Sequence, residues 1–191
     1  MNVLETDRLN LRRISTDDAE FILQLLNEPS FLQFIGDRGV RTLDDARNYI
    51  RNGPMASYER FGVGLYLTEL KEPRVPIGMC GLLKRDTLED VDIGFAFVPQ
   101  YWKQGYAMES AAAVMAHAKD VLGLNRLAAI TSLENETSIA LLLKLGMRFE
   151  KLTRLTEEAP EIKLFICDLR ASCSPECRTN RTGRATLSRS G

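Results

Sequence analysis

The run from Val91 to Leu122 constrains the fold of this chain most, because it joins an alternating segment to a long helical segment through a short loop. In VDIGFAFV (91–98) large apolar residues occupy the odd positions, which is the period of a β-strand. Pro99 ends this strand, and Gly105 stands just before a helical stretch at 107–122. One apolar stripe marks that helix: Ala111, Val114, Met115, Ala118 and Leu122. The run predicts a buried strand followed by an amphipathic helix.

The rest of the chain shows the same changes of period. Further strands are predicted at 9–14, 63–70, 75–85, 127–133, 148–154 and 161–169, and further helices from Asp17, from Thr42 to about Gly53, and at 135–145. The order β-α-α-β-β-β-α-β-α-β-β predicts an α/β (α+β) domain. Its central sheet should be mixed, mostly antiparallel and flanked by helices.

Size and composition limit the class of protein. A chain of 191 residues holds one domain with a real core, and 45% hydrophobic with 27% charged residues is typical of a globular protein. The net charge of −1 argues against non-specific nucleic-acid binding, and no apolar run approaches the roughly 20 residues that cross a bilayer. The four cysteines fit neither a zinc site nor a disulfide framework. We expect a cytoplasmic monomer or homodimer without a metal.

The composition changes near Arg170. From residue 171 to 191 the chain is rich in Ser, Thr, Arg, Gly and Cys, with four arginines against one glutamate. Such a segment buries too little apolar surface to offset its ordering entropy. The sequence therefore predicts a folded domain at 5–170 and a disordered basic tail at 171–191.

Two features of the strand and loop are candidates for a site. The even positions of the strand, Asp92, Gly94, Ala96 and Val98, place a carboxylate beside a groove with accessible backbone, or else form a solvent-facing side with one surface aspartate. After Pro99, backbone amides near the start of the helix are predicted to be free donors. A phosphate or pyrophosphate cradle fits them, and so does a plain junction between loop and helix.

Two motifs make the sequence recognisable. The first motif, DIGFAFVPQYWKQGYAMESA (92–111), follows the loop pattern Gln/Arg-x-x-Gly-x-Gly/Ala at Gly105 and Ala107. It departs from the pattern in the first place, where Trp102 stands. The second motif is N-x-x-S-I-A-L-L-L-K-L-G-M (135–147). With ETDRLNLRRIS (5–15), these segments resemble the GNAT acetyltransferase superfamily, in particular its Rim-type branch of ribosomal-protein N-terminal acetyltransferases. The resemblance implies the three-layer GNAT fold.

The resemblance also implies a co-substrate and the residues that hold it. The anion at the cradle would be the pyrophosphate of acetyl-CoA, bound by the amides of Lys103, Gln104, Gly105, Tyr106, Ala107 and Met108. The pantetheine arm would pair with the backbone of the strand 91–98, where Phe97 and Val98 are carried over from the family. Asn135 matches an asparagine that contacts the same arm.

Direct attack by a neutral amine on the thioester is the implied chemistry. Asp92 matches the frequent general base of the family, acting directly or through water, and Ser138 matches a serine proposed to protonate the departing thiolate. Where many relatives have a tyrosine for that second role, this chain has Leu142.

The favoured acceptor is a protein or peptide N-terminal α-amine, whose pKa of about 8 leaves little deprotonation to be done. The alternatives are the same chemistry on a small amine (an amino sugar, a polyamine or an amino acid) and a catalytically weak acyl-CoA-binding module.

Overall fold

The computed structural model describes residues 2–170, so the predicted tail lies outside the described residues. The strands are β1 (Asn2–Glu5), β2 (Leu9–Arg13), β3 (Leu65–Leu70), β4 (Pro76–Leu83), β5 (Asp92–Phe97), β6 (Arg126–Ser132), β7 (Arg148–Thr153) and β8 (Ile162–Asp168). The α-helices are α1 (Ala19–Leu26), α2 (Pro29–Phe34), α3 (Leu43–Ile50), α4 (Ala56–Phe61), α5 (Tyr106–Asp120) and α6 (Glu136–Lys144).

All eight strands form one sheet in the order β1-β2-β3-β4-β5-β6-β8-β7. Neighbouring strands are antiparallel throughout, except for β5 and β6, which run parallel. The prediction of a mixed, mostly antiparallel sheet is confirmed. A parallel pair needs a crossover connection, and α5 supplies it.

Helices cover both faces of the sheet. On one face α5 and α6 pack over a cluster that includes Ile93 and Phe97 of β5. On the other face α1, α2 and α3 pack over a second cluster that includes Ala96 and Val98. The alternation read from the sequence of β5 thus separates two buried layers, and each fully buried large side chain adds about 1.5–3 kcal/mol of hydrophobic stabilisation. The result is three layers.

The sequence missed strand β1 and helices α2 and α4, and it misplaced one helix end. Strand β1 pairs with β2, and α2 begins at Pro29; neither was predicted. The prediction that the second helix stops near Gly53 and Pro54 is wrong. The chain stays helical through a π-turn at Arg51–Met55 and enters α4, which ends at Gly62 (φ 73°). Proline has no N–H to donate, and here the helix widens locally around Pro54 instead of ending.

The start of the first helix is also later than predicted. Thr16–Asp18 forms a 3₁₀ turn, and the α-helix begins at Ala19. Ser15 and Asp18 form a capping box at this turn, which satisfies donors that a helix start leaves unpaired. Between residues 2 and 170, no helix has both the length and the apolar character needed to span a bilayer.

Candidate active site

The sheet opens between its two parallel strands. Along β5 and β6 only one pair of residues is in register, Asp92 with Ala128, joined by a hydrogen bond from the Ala128 N–H to the Val91 carbonyl (2.9 Å). Beyond that pair the strands diverge, whereas β4 and β5 stay paired over six positions. The divergence leaves an open edge on β5 that faces a gap in the middle of the sheet.

The backbone of β5 presents hydrogen-bonding groups to this gap. The N–H of Val98 donates to a carbonyl of β4 (3.0 Å), and successive residues of an antiparallel strand direct their backbone groups to alternate sides. The backbone groups of Phe95 and Phe97 therefore point toward β6, into the gap. An extended ligand chain could pair with this edge as an added strand.

Phe97 and Val98, the two residues of this strand predicted to contact the pantetheine arm, direct their backbone groups differently. Phe97 points its N–H into the gap, although its carbonyl accepts a hydrogen bond from Nε1 of Trp102 (2.7 Å). Val98 uses both backbone groups within the protein: its N–H donates to Ile77, and its carbonyl accepts from Tyr101 (3.0 Å each). Both backbone groups of Val98 thus already have a partner within the protein, whereas the N–H of Phe95 points into the gap and adds a further candidate contact.

The loop after β5 forms the predicted start of α5. Lys103 and Gly105 both adopt left-handed backbone conformations, with φ of 60° and 86°. The first hydrogen bond of the helix runs from the Glu109 N–H to the Gly105 carbonyl (3.0 Å), and no side chain caps the helix. The N–H groups of Tyr106, Ala107 and Met108 precede the ladder and so have no helical acceptor. We call Lys103–Met108 the cradle, and its loop residues 103–105 are exposed.

Two residues that the sequence did not single out hold the cradle from the side. Arg8, in the turn between β1 and β2, forms an ion pair with Glu109 (2.6 Å) in the first turn of α5. Its guanidinium also donates to the carbonyl of Gln104 (3.0 Å) and lies 4.5 Å from the ring centroid of Tyr106. Both Arg8 and Glu109 belong to segments that resemble the GNAT family, and this resemblance is the sequence feature that could have pointed to them.

Asp92 is not on the surface. Its side chain is 1% exposed, and Nε of Arg85 lies 3.1 Å from each carboxylate oxygen. The alternative of a solvent-facing aspartate is therefore wrong, because Arg85 from the loop before β5 covers the carboxylate. Burial raises the pKa of Asp92, and the charge of Arg85 offsets part of this increase.

Asn135 and Ser138 lie at the start of α6, which follows the end of β6. Oδ1 of Asn135 caps the helix by accepting the N–H of Ser138 (3.0 Å), so its amide NH₂ is the group left to contact a ligand. Ser138 lies one turn before Leu142, which is buried against the sheet. Residues four apart share a helix face, so Ser138 is directed toward the sheet.

The two predicted catalytic residues lie on opposite faces of the sheet. Asp92 shares its side of β5 with Ala96, under α1–α3, whereas Ser138 belongs to the α5 and α6 layer. Among the described residues no hydrogen bond or ion pair joins them. The gap between β5 and β6 is the place where both layers meet.

A cavity of about 260 Å³ opens on the Asp92 side of the sheet. Its lining includes Leu65 and Leu83, which also lie within 4 Å of the position that a Cβ on Gly94 would take. Leu83 is the register partner of Asp92. A second cavity of about 390 Å³ adjoins it and shares Tyr49, Asn52 and Gly53. The smaller cavity therefore lies next to Leu83, on the β4 side of Asp92, and the lining of the two cavities includes no residue of β5 itself.

Comparison with known proteins identifies the family of this chain. The family described as Acetyltransferase (GNAT) domain matches residues 8–148. Among curated proteins, the uncharacterized N-acetyltransferase YoaA of Bacillus subtilis (strain 168) is 30% identical over 154 residues, which are 80% of this chain and 86% of that protein. The uncharacterized N-acetyltransferase p20 of Bacillus licheniformis is 29% identical over 164 residues, or 83% and 89% of the two chains.

Solved structures share the fold. An acetyltransferase from Agrobacterium tumefaciens strain C58 has a TM-score of 0.73 at 24% identity, over 86% of this chain and 92% of that one. RimL, a ribosomal L7/L12 α-N-protein acetyltransferase solved with coenzyme A, has a TM-score of 0.76 at 15% identity, over 88% and 98%.

The fold, the opened sheet and the matched domain define an acetyltransferase. The chain belongs to the GNAT acetyltransferase family and is an acetyl-CoA-dependent N-acetyltransferase.

Proposed function

We propose that this protein transfers the acetyl group of acetyl-CoA to a primary amine by direct attack, with a protein or peptide N-terminal α-amine as the preferred acceptor. The observation that carries this proposal is the gap between β5 and β6. The gap has an unpaired backbone edge on one side and leads, at the carboxyl end of β5, to the unpaired amides of the cradle.

The cradle suits the pyrophosphate of acetyl-CoA. Three consecutive N–H groups, those of Tyr106, Ala107 and Met108, lie at the positive end of the α5 dipole, where anions are favoured. The left-handed conformation of Gly105 turns the loop without a Cβ at the site. Lys103 adds a positive charge. The exposed Gln104 donates a hydrogen bond from its side-chain amide to the Gln100 carbonyl (2.9 Å), and its own carbonyl accepts from Arg8, so its backbone N–H is the part offered to a ligand.

The pantetheine arm would then lie along the edge of β5. The N–H of Phe95 and Phe97 would donate to its amide oxygens, and the amide NH₂ of Asn135 would contact it from the side of α6. This arrangement places the thioester toward the narrow end of the gap, where Asp92 pairs with Ala128. A backbone N–H of β5 at that point would stabilise the negative charge that develops on the thioester oxygen.

The two proton transfers have one candidate residue on each face of the sheet, Asp92 and Ser138. The amine nitrogen attacks the thioester carbon, the C–S bond breaks, and the acetyl group becomes an amide. Asp92 would accept the proton lost by the amine, through water because the carboxylate is buried behind Arg85. Ser138 would donate a proton to the departing thiolate from the α6 side. The opposite faces agree with an amine that attacks on one side while the thiol leaves on the other.

The cavities over β5 support an acceptor that enters from the surface. The larger one is lined by exposed Arg38 and Asn48, and the smaller one by exposed Arg60 and Phe61. A peptide N-terminus could extend from the Asp92 side across this lining. The similar structure of RimL, which acts on the N-terminus of a ribosomal protein, is in keeping with this acceptor.

The second candidate is a small-molecule amine. The smaller cavity, at about 260 Å³, is compact and lies beside β5, where a small amine would be held. MccE, solved with acetyl-CoA and AMP, has a TM-score of 0.72 at 15% identity, so this fold also serves proteins that bind small ligands.

Release of free thiol from acetyl-CoA tests the proposal. The purified chain is offered peptides with a free N-terminus, the same peptides with a blocked N-terminus and an internal lysine, and a panel of small amines. We expect thiol release with the first set only. Turnover on small amines alone would move the assignment to the second candidate. Acetyl-CoA binding without any turnover would identify an acyl-CoA-binding module.

A further inference from the structure

We propose that Arg8 and Glu109 are positioning residues that fix the shape of the cradle and neutralise a carboxylate beside it. This inference rests on the proposed function, because it assumes that the cradle binds the pyrophosphate of acetyl-CoA. The two residues lie 101 positions apart in sequence and meet only through the fold.

The contacts around Arg8 use most of its hydrogen-bonding capacity. Nε donates to Oε2 of Glu109 (2.7 Å), Nη2 forms an ion pair with the same oxygen (2.6 Å), and the backbone N–H donates to Oε1 (3.0 Å). Thr6 adds a hydrogen bond from its hydroxyl to Oε1 (2.5 Å). Both oxygens of Glu109 are therefore bound on the side of the turn between β1 and β2.

The third nitrogen of the guanidinium, Nη1, acts on the cradle itself. Nη1 of Arg8 donates to the carbonyl oxygen of Gln104 (3.0 Å). In a planar trans peptide the C=O and N–H point in opposite directions. Holding the Gln104 carbonyl toward Arg8 therefore turns the N–H of Gly105 away from Arg8 and fixes the orientation of this peptide within the cradle. The guanidinium also stacks on Tyr106, which limits its rotation.

The charge of Glu109 explains why the pair matters. A carboxylate in the first turn of a helix competes for the same N–H groups and the same positive dipole that an anionic ligand uses. Arg8 and Thr6 bind that carboxylate away from the cradle, and Arg8 neutralises it. Without the Arg8 guanidinium, Glu109 would keep only the hydrogen bonds from the Thr6 hydroxyl and the backbone N–H of residue 8. Its negative charge beside the cradle would no longer be neutralised, and binding of the co-substrate would weaken.

The test compares two acetyl donors. Acetyl-CoA contains the pyrophosphate, and S-acetyl-pantetheine lacks it. We expect Arg8→Met to raise the KM for acetyl-CoA on the order of tenfold and to leave kcat unchanged. This is the size of effect expected when charge-assisted hydrogen bonds are lost. The kcat/KM for S-acetyl-pantetheine should stay at the wild-type value. Arg8→Lys keeps the positive charge but loses the planar set of guanidinium donors (the fork). Its KM for acetyl-CoA should therefore lie between those of the wild type and Arg8→Met.

Arg12→Met is the matched control. Arg12 lies on β2, and its guanidinium forms ion pairs with Asp18 and Glu69, at 2.7 Å and 3.2 Å. It should lower thermal stability without changing the preference between the two donors.

The outcomes separate the two proposals. If the wild-type protein uses both donors equally well, the cradle does not bind pyrophosphate. The binding role proposed for Lys103–Met108 is then wrong. If the wild type prefers acetyl-CoA and Arg8→Met keeps that preference, the positioning role of Arg8 is overturned. Should Arg8→Met not fold, Arg8→Lys decides the same question, because an unchanged preference there would refute the need for the fork.

Discussion

Gly105 offers the most direct test of the cradle, because its backbone conformation and its surroundings are both defined. Its φ of +86° lies in the left-handed region, and a Cβ added there would come 3.2 Å from Nη2 of Arg8. Valine at this position would resist the left-handed conformation and would crowd Arg8. Replacement of Gly105 by valine should therefore rotate the loop and misdirect the first N–H groups of α5.

The size of the effect follows from the hydrogen bonds at stake. A hydrogen bond to a charged group contributes about 1.5–3 kcal/mol, and 1.4 kcal/mol corresponds to a factor of ten. Loss of one such bond to the pyrophosphate should raise the Kd and the KM for acetyl-CoA about 10- to 100-fold. The left-handed conformation itself costs a non-glycine residue about 1–2 kcal/mol, which lowers the Tm of a domain of this size by about 2–8 °C.

Gly123 provides the matched control. It follows α5 with a φ of +65°, and nothing lies within 4 Å of the position of an added Cβ. Gly123→Val should therefore show a similar loss in Tm without a change at the cradle. Calorimetric titration with acetyl-CoA and steady-state kinetics on both variants separate backbone strain from loss of the ligand site. Equal acetyl-CoA affinity in Gly105→Val and Gly123→Val would refute the assignment of the cradle.

Two further predictions concern the proton transfers. Ser138→Ala should lower kcat at least ~30-fold with unchanged acetyl-CoA affinity, since general acid catalysis contributes about 10²–10⁴-fold; a smaller decrease in steady-state kinetics would count against Ser138 as the acid. Asp92→Asn should lower the rate most below the pKa of the acceptor amine, where most of the amine is protonated, and a higher pH should partly restore it because more amine is neutral. Burial raises the pKa of Asp92 and so makes its carboxylate a stronger base. A pH–rate profile that matches wild type would remove Asp92 from catalysis.

The sequence was most informative where the period of a strand meets the start of a helix. Alternation in 91–98 correctly placed Ile93 and Phe97 in one buried layer, and the glycine before the alanine-rich helix marked the cradle. Both features are local, because strand period and helix start depend on residues within a few positions of one another. The same local information gave strands β2 to β8 with their ends correct to within two residues.

The sequence failed where the outcome depends on packing partners. The alternation of β5 left Asp92 either beside an accessible groove or on a solvent-facing side, whereas the structure buries its carboxylate and pairs it with Arg85, seven residues earlier. Strand β1 has four residues and no clear pattern of its own, and it is ordered by pairing with β2. The helix at Pro54 continues because that proline is buried among neighbours, although its lack of an N–H predicts a stop.

From the sequence alone came strands β2 to β8, their order along the chain and the glycine at the start of α5, because periodicity and helix-start residues act over short distances. The assembly of the candidate site, in contrast, follows from long-range packing. The parallel alignment of β5 with β6 and their divergence after Asp92 depend on how the crossover through α5 packs on the sheet. The contact of Arg8 with Glu109 likewise joins residues that are distant in sequence and close only in the folded chain. Such contacts arise from the whole sheet, and no local pattern encodes them.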